Sequence, residues 1–471
     1  MTTTSISSLP VIEAAPLSPG QQRLIAAEFV DPDGAWPPPG TATRMRPLDT
    51  GAVLIEGPLE VAALGAALDA LSDRQSALRT VLRQLPDGTA LQLVLRQGRV
   101  PFTRSTLHLA DGESLPEGPG LAALAGPGDI DPRQGPLFRA HLVELGDGRH
   151  ILLLQIHHTV SDGWSISVLY RDLSALYNAA VTGDAPDLPP LPHSFAWFAR
   201  QMHTERSGDA YARQRRYWRT RLAPPLAPVP VPADPARTHP VDVLPVTVAA
   251  PVVAALRVAA RSADNRGGVA GAFLAALALV LHHAGAGDDI RIGTMISNRA
   301  RPDTENLIGY FVNTTVIRLR VTPQTTAGRL VTAGTLAVTE AIENQALPIQ
   351  DIVQDLRESG ALGNGALYDT TVALNTMREG TMRLHGLHCR DLDVEARGPR
   401  EAPTSIVQRW VLEEIGGQLG GTLTHRTDVL SSGAARAVLH NLGLAMQAVT
   451  DRTAVAADIL AGFAEIPRKQ P

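Results

Sequence analysis

The chain has almost no cysteine and almost no lysine: Cys389 and Lys469 are the only ones among 471 residues. A single thiol excludes an intrachain disulfide, a cysteine-based metal site and Cys-x-x-Cys redox chemistry, which fits a reducing, cytoplasmic compartment. A lysine confined to the extreme end leaves the folded body without an amine for Schiff-base or phosphate-loop chemistry. Runs of basic residues with interleaved aromatics are missing, and at a net charge of -5 nothing argues for a nucleic-acid partner. There is no basic-then-apolar leader, and no apolar stretch reads as long enough to span a membrane. What remains is 44% hydrophobic and 19% charged. That is the balance of a globular protein, at a length that calls for two domains or lobes.

The most informative stretch is His157-His158-Thr159-Val160-Ser161-Asp162-Gly163. Upstream, Ile151 to Ile156 is an apolar run too short for a globular helix and typical of a strand buried on both faces. Downstream, Ile166, Leu169, Leu173 and Leu176 recur at helical spacing beside Tyr170 and Tyr177, so a helix starts near Gly163. The histidines therefore stand at the carboxyl end of a strand, where open α/β sheets bind ligands. A blander alternative is a core histidine pair with Asp162 as an ordinary helix N-cap. His282-His283 supplies a comparison within the chain. That pair closes an Ala/Leu helix and precedes Gly285, which suits a helix C-terminus rather than a site.

Ala223 to Pro240 is rich in proline, which favours an extended crossing and divides the chain into two similar parts. The expected organisation is a flexible lead over 1–15, a first lobe over 16–222 carrying the histidines, a crossover linker over 223–241 and a second lobe over 242–471. Strands are expected near Leu91–Leu95, Ile290–Ile296 and Thr314–Leu319. Helices are expected near Leu59–Leu71, Tyr211–Leu222, Val252–Ala260, Phe273–Leu281 and Ala434–Val449. Two mixed α/β lobes joined by one crossing predict a site in the groove between them.

Several ordered segments resemble the condensation domains of nonribosomal peptide synthetases, in the chloramphenicol acetyltransferase-like superfamily. They are Leu17 to Leu24, Arg74 to Thr80, the His-His-x-x-x-Asp-Gly-Trp-Ser stretch, Tyr217-Trp218, Gly293 to Arg299 and Ile308 to Thr314. The pattern departs from the family after Thr314. Asn344 to Gln350 replaces the usual His-Gln-Asp-Leu-Pro-Phe-Glu, an Arg/Asp/Ser-rich motif has dissolved into Glu358 to Gly365, and Thr404 to Val407 replaces an aromatic-Asp-Leu entry to a late strand. The resemblance implies a two-lobed α/β fold, each lobe a mixed sheet flanked by helices, with the active site in a tunnel between the lobes. A condensation domain occupies nearly all of this length, so a free-standing enzyme is expected.

The same resemblance nominates His158 as general base or as the group that orients the nucleophile, and an imidazole suits either role near neutral pH. His157 should face inward, because consecutive residues at a strand end point to opposite faces. Asp162 either caps the helix or, as the family implies, pairs with Arg299 and clamps the lobes. Gly163 offers an N–H at a helix start as an oxyanion donor. Trp164 and Ser165 are assigned to the same substrate-facing turn, and Asn313 to substrate contact. No metal or nucleotide is called for. The donor is expected on the 4'-phosphopantetheine arm of a partner peptidyl carrier protein, of the subtype handling L-configured donors, and the acceptor to be a small-molecule amine or alcohol. Two other readings stay open: an acyltransferase using acyl-CoA, and a non-catalytic domain that recruits tailoring enzymes.

Overall fold

The computed structural model describes residues 10–28, 36, 48–109, 114–116, 118–124, 130–226, 229, 238–261, 268–375, 381–394 and 400–467. The chain divides into two compact units that interleave along the sequence. The first comprises Met1–Arg206, Arg299–Phe311 and Glu379–Ala396; the second comprises Ser207–Asn298, Val312–Arg378 and Arg397–Pro471. The units are therefore not the contiguous lobes expected over 16–222 and 242–471. The second begins upstream of the proline-rich stretch, and two later segments return to the first.

In chain order the first unit carries β1 (Val11–Pro16), α1 (Pro19–Glu28), β2 (Leu48–Glu56), α2 (Val61–Arg74), β3 (Thr80–Gln84), β4 (Ala90–Leu95), β5 (Phe102–Thr106), α3 (Pro119–Ala123), β6 (Phe138–Gly146), β7 (Arg149–His157), α4 (Gly163–Thr182) and α5 (Phe195–Glu205). One small sheet has the order β1-β4-β3, all antiparallel. The expected flexible lead is thus a paired strand from Val11 onward, while residues 1–9 lie outside the described residues. The larger sheet adds a late strand, β12 (His388–Leu392), in the order β12-β2-β7-β6-β5, with only β5 and β6 parallel. Its central strand is β7, which is buried without interruption from Ile151 to His157. Strands β2 and β6 pair its two edges, and the unbroken burial means that both faces of the sheet are covered here. Helix α4 begins directly beyond it, buries Leu169, Leu173 and Tyr177 along one stripe, and packs beside α2. It stops at Gly183, whose φ of 80° no branched side chain would tolerate and whose N–H closes on Ala179.

The second unit carries α6 (Asp209–Arg221), β8 (Thr238–Val248), α7 (Ala250–Ala260), α8 (Val269–Leu281), β9 (Asp289–Ile296), β10 (Asn313–Arg320), α9 (Ala327–Glu343), α10 (Ile349–Glu358), β11 (Thr370–Asn375), β13 (Arg400–Pro403), β14 (Gln408–Ile415), β15 (Gln418–Arg426), α11 (Ser432–Ala448) and α12 (Ala456–Ala461). Its seven-stranded mixed sheet runs β10-β9-β11-β14-β15-β8-β13. The far end of the expected linker belongs to this sheet. Pro240 sits in β8 opposite Glu401, and Pro245 opposite Thr422. Pro240 lacks only a donor, and its carbonyl accepts from the Thr427 N–H at 2.9 Å.

Helix α8 fills the core of this unit. The stretch Val269–Ala286 does have the length and composition of a membrane span, with a mean hydropathy of 1.8 over 18 residues, which corrects the sequence reading; 67% of it is buried inside the protein. Sheet and helices around it account for that apolarity. It meets α9 backbone to backbone: a Cβ on Gly271 would stand 2.5 Å from the Thr335 Cα, and one on Gly334 would stand 2.5 Å from the Gly271 carbonyl oxygen. Past α8, the His282 Nδ1 lies 2.9 Å from the Gly287 carbonyl and Gly285 turns the chain with φ 92°. The second histidine pair is a helix terminus.

One end of this core is polar. His425 on β15 is fully buried, its Nδ1 2.9 Å from the Leu430 carbonyl and its Nε2 3.9 Å from Asp242 Oδ2. Burial pushes its imidazole pKa down, and the hydrogen bond to Leu430 and, more weakly, Asp242 only partly restore it. The unfolded chain therefore binds a proton at a pH where the folded chain does not. This contribution to stability is complete above the ordinary histidine value and declines as pH falls below about 6.5. His425→Asn keeps a donor for Leu430. Thermal melts of this variant should show a shallower loss of Tm between about pH 6.5 and 5 than the wild type, whatever its Tm at neutral pH. An equal slope would remove His425 from the acid response.

Candidate functional site

The site is built where β7 hands over to α4. His157 ends the strand pointing inward and is fully buried. Its Nδ1 accepts from the Thr159 N–H at 3.2 Å and lies 2.8 Å from Thr159 Oγ1. That bond tightens residues 158–160 into a single 3-10 turn, which sends His158 the other way. His158 is half-buried, and its ring meets Tyr310 edge-on, with centroids 5.0 Å apart at 72°. The Tyr310 hydroxyl accepts from Arg23 Nη2 at 3.3 Å.

Two segments far away in sequence hold this turn. At the start of α1, the Ser18 N–H donates to Gln21 Oε1 at 2.9 Å and the Gln21 N–H to Ser18 Oγ at 3.2 Å, a reciprocal capping box with Pro19 at the first helical position. The remaining amide of Gln21 donates to the Thr159 carbonyl at 2.9 Å. From the other side comes the Arg299–Phe311 segment, through Asp162.

Asp162 satisfies both readings of it at once. Its Oδ1 accepts from the Ser165 N–H at 2.8 Å and so caps α4. The same carboxylate accepts from Arg299 Nη2 at 3.0 and 3.3 Å and from the Phe311 N–H at 3.0 Å. Arg299 is 6% exposed. Its Nη1 donates to the Thr304 and Leu307 carbonyls at 2.7 and 2.8 Å, and its guanidinium lies over the Phe311 ring, 3.9 Å from the centroid. Burial lowers the Arg299 pKa and Asp162 opposes that shift; a guanidinium stays protonated regardless. Both partners belong to the first unit. The pair expected to clamp two lobes instead folds a late segment into one of them.

The assigned substrate contacts divide on burial. Gly163 is exposed, and apart from its chain neighbours and its own helix backbone no described residue comes within 4 Å of where its Cβ would be, so this face of the turn is open. Trp164 is partly buried and spends its indole N–H on the Glu305 carbonyl at 2.9 Å. Ser165 does not face substrate. It is fully buried, and its hydroxyl lies 2.8 Å from Asp162, 2.9 Å from the Gly309 carbonyl and 3.1 Å from the Gly309 nitrogen. Asn313 is likewise consumed within the second unit. Its Nδ2 donates to the Gln345 and Leu347 carbonyls at 2.8 and 2.7 Å, while its Oδ1 accepts from the Thr314 and Ile349 N–H groups. Sequence reasoning missed Gln21, Arg23 and Tyr310. The Ser18-Pro19-Gly20-Gln21 box was legible as a helix start, but its reach to Thr159 was not. Among the described residues, no group of three or more His, Cys, Asp or Glu could hold a metal ion.

With this geometry in place, comparisons with known proteins agree with one another. Residues 43–395 match the family model described as the condensation domain. Phosphinothricin tripeptide synthetase PhsC of Streptomyces viridochromogenes is 33% identical over 337 residues, 69% of this chain. The chain spans only 30% of that synthetase and 5% of a linear gramicidin synthase subunit of Brevibacillus parabrevis, to which it is 28% identical over 398 residues. In solved structures, the fold matches the X-domain in its complex with OxyB from teicoplanin biosynthesis, at 25% identity and a TM-score of 0.73, covering 98% of each chain. It matches the first condensation domain of the calcium-dependent antibiotic synthetase at 18% identity and a TM-score of 0.73, covering 97% of this chain and 100% of that one. The two-lobed chloramphenicol acetyltransferase-like fold is thereby established.

The buried pair can be tested directly. Asp162→Asn retains a capping oxygen but leaves the guanidinium uncompensated, and Arg299→Met does the reverse, so each should cost about 3–5 kcal/mol in urea unfolding. The double variant should cost clearly less than their sum; additive losses would mean that the two groups do not interact. Asn313→Ala should lower stability through four lost hydrogen bonds without altering substrate KM.

Proposed function

Because this chain belongs to the condensation-domain family of nonribosomal peptide synthetases, we propose that it joins an aminoacyl thioester, carried by a partner protein, to an amine or alcohol acceptor. Forming an amide from a thioester requires an unprotonated nucleophile, a place for its proton and stabilisation of the tetrahedral oxyanion. His158 is the proton acceptor in this reading. It is half-buried beside an open turn, and its neighbour His157 is locked inward, so the imidazole that remains presented is the one the chemistry needs. Gly163 supplies the backbone N–H for the oxyanion, its open face leaving room for the reacting carbonyl. Neither His157, Asp162 nor Arg299 touches the reacting atoms; they fix the turn. The phosphopantetheine arm belongs to the donor's carrier protein and this chain contributes no cofactor. The acceptor in this reading is diffusible.

The observation that carries the proposal is the intact, buried Asp162–Arg299 pair that fixes the turn from which His158 is presented. A second reading, recruitment of a tailoring enzyme, is favoured by the likeness to an X-domain solved in complex with OxyB. Single-turnover assays with a loaded donor carrier protein separate the two. Free amines, free alcohols and a loaded acceptor carrier are offered in turn, and the wild type should give product with at least one free acceptor. His158→Ala should lose turnover by roughly 100-fold or more, within the general acid–base range, at unchanged Tm. Product formed only with the loaded acceptor carrier would exclude the diffusible acceptor. Stable capture of a tailoring enzyme without turnover of any thioester would establish the recruitment reading instead.

A further inference from the structure

We propose that Tyr310 is a catalytic residue, its hydroxyl donating a hydrogen bond to the carbonyl oxygen of the thioester as that oxygen becomes an oxyanion. This rests on the condensation reading of the same site and adds a side-chain donor that the motif does not contain. The residue is 5% exposed. Its oxygen receives a hydrogen bond from Arg23 Nη2 at 3.3 Å, and Arg23 has only donors. The phenolic proton therefore cannot be used on Arg23. Among the described residues it has no acceptor at all, although a buried hydroxyl left without one loses about 1–3 kcal/mol. The ring that carries this hydroxyl stands edge-on to His158, with centroids 5.0 Å apart. A donor stored without an acceptor beside the general base is suited to an oxygen that arrives with the substrate.

Its surroundings make it a strong donor. A cationic hydrogen bond into the phenol oxygen draws charge from the O–H and polarises it, as chained hydrogen bonds do in a low-dielectric interior. The ring cannot drift. Tyr310 lies between Gly309, tied on both its N–H and carbonyl to Ser165, and Phe311, whose N–H is held by Asp162. A donor fixed before the reaction stabilises developing charge with no reorganisation. In the step itself, the acceptor nitrogen bonds to the thioester carbon and the carbonyl π pair moves onto oxygen, where Tyr310 and the Gly163 N–H meet it. The proton from the nitrogen passes to His158. When the oxyanion collapses, the C–S bond breaks and sulfur departs with that proton. Tyr310 keeps its own throughout.

Tyr310→Phe keeps the ring against His158 and removes only the donor. The expected result is a fall in kcat of about 100-fold or more, with donor KM, Tm and the acid limb of the pH–rate profile unchanged. Arg23→Met should lower kcat less, and should add nothing in the Tyr310→Phe background. A second measurement needs no turnover. A ketone analogue of the acyl-pantetheine donor, with CH2 in place of sulfur and a 13C carbonyl, is added to each protein for infrared difference spectroscopy. Its carbonyl band should shift to lower frequency with the wild type and return towards the free value with Tyr310→Phe. Wild-type kcat in Tyr310→Phe, or a carbonyl band identical in the two proteins, overturns the proposal. So does a loss of kcat accompanied by a displaced acid limb, because Tyr310 would then act only through the imidazole. A Tyr310-dependent band in a protein that turns over no thioester would retain the donor and defeat the condensation reading.

Discussion

The ion pair between Asp162 and Arg299 is the constraint on which the site depends. Removing two charges from water is expensive, and a pair with nothing else around it would be a poor choice for stability. Here neither charge relies on the other alone. The carboxylate also accepts from Ser165 and Phe311, and the guanidinium also donates to two carbonyls. Every one of these bonds ends on α4 or on the Arg299–Phe311 segment. The pair therefore converts two stretches more than a hundred residues apart into one surface, with His158 supplied by one and Tyr310 by the other. A lysine could not replace Arg299, because a point charge lacks the planar fork that reaches carbonyls and carboxylate together.

The same economy explains why cap and ion pair were false alternatives for Asp162. An N-cap needs one carboxylate oxygen aimed along the helix axis, and the helix N-terminus itself favours a negative charge. The second oxygen remains free to meet Phe311, and Arg299 approaches from the side. Ser165 shows the consequence. Three residues after the cap, its N–H is the group being capped, so its side chain is carried into the interior beside the pair. Its hydroxyl then serves the Gly309 backbone rather than a substrate.

What was legible in the sequence was what periodicity and local chemistry encode. The buried run of β7, the start of α4 at Gly163 and the α8 terminus at His282-His283 all followed from spacing and capping. The inward place of His157 followed from its position at the strand end, whereas His158 is turned away by the 3-10 turn that it begins. What could not be read was set by tertiary pairing. Nothing local to Arg299 shows that it folds back into the first unit, and Asn313 looked available for substrate because its partners are main-chain carbonyls more than thirty residues away. Prolines in the supposed linker suggested that no strand could form. In β8 they are tolerated because a ladder position that supplies only a carbonyl makes no demand for an N–H.

Backbone anchoring also changes the meaning of the departures from the family pattern after Thr314. The main chain of the Asn344–Ile349 turn is held from outside, beside its own side-chain contacts and the buried Leu347 and Ile349. Trp218 donates to the Asn344 carbonyl, Asn313 to those of Gln345 and Leu347, and Gln214 accepts from the Leu347 N–H. Contacts of this kind do not depend on which side chains the turn carries. Side chains on the turn can change without breaking these contacts, provided Asn313 and Trp218 remain and the positions of Leu347 and Ile349 stay apolar. Asn313 is thus better understood as the keeper of this turn than as a ligand for substrate. The departure from the family pattern here therefore changes the side chains of the turn while Asn313 and Trp218 keep its backbone in place.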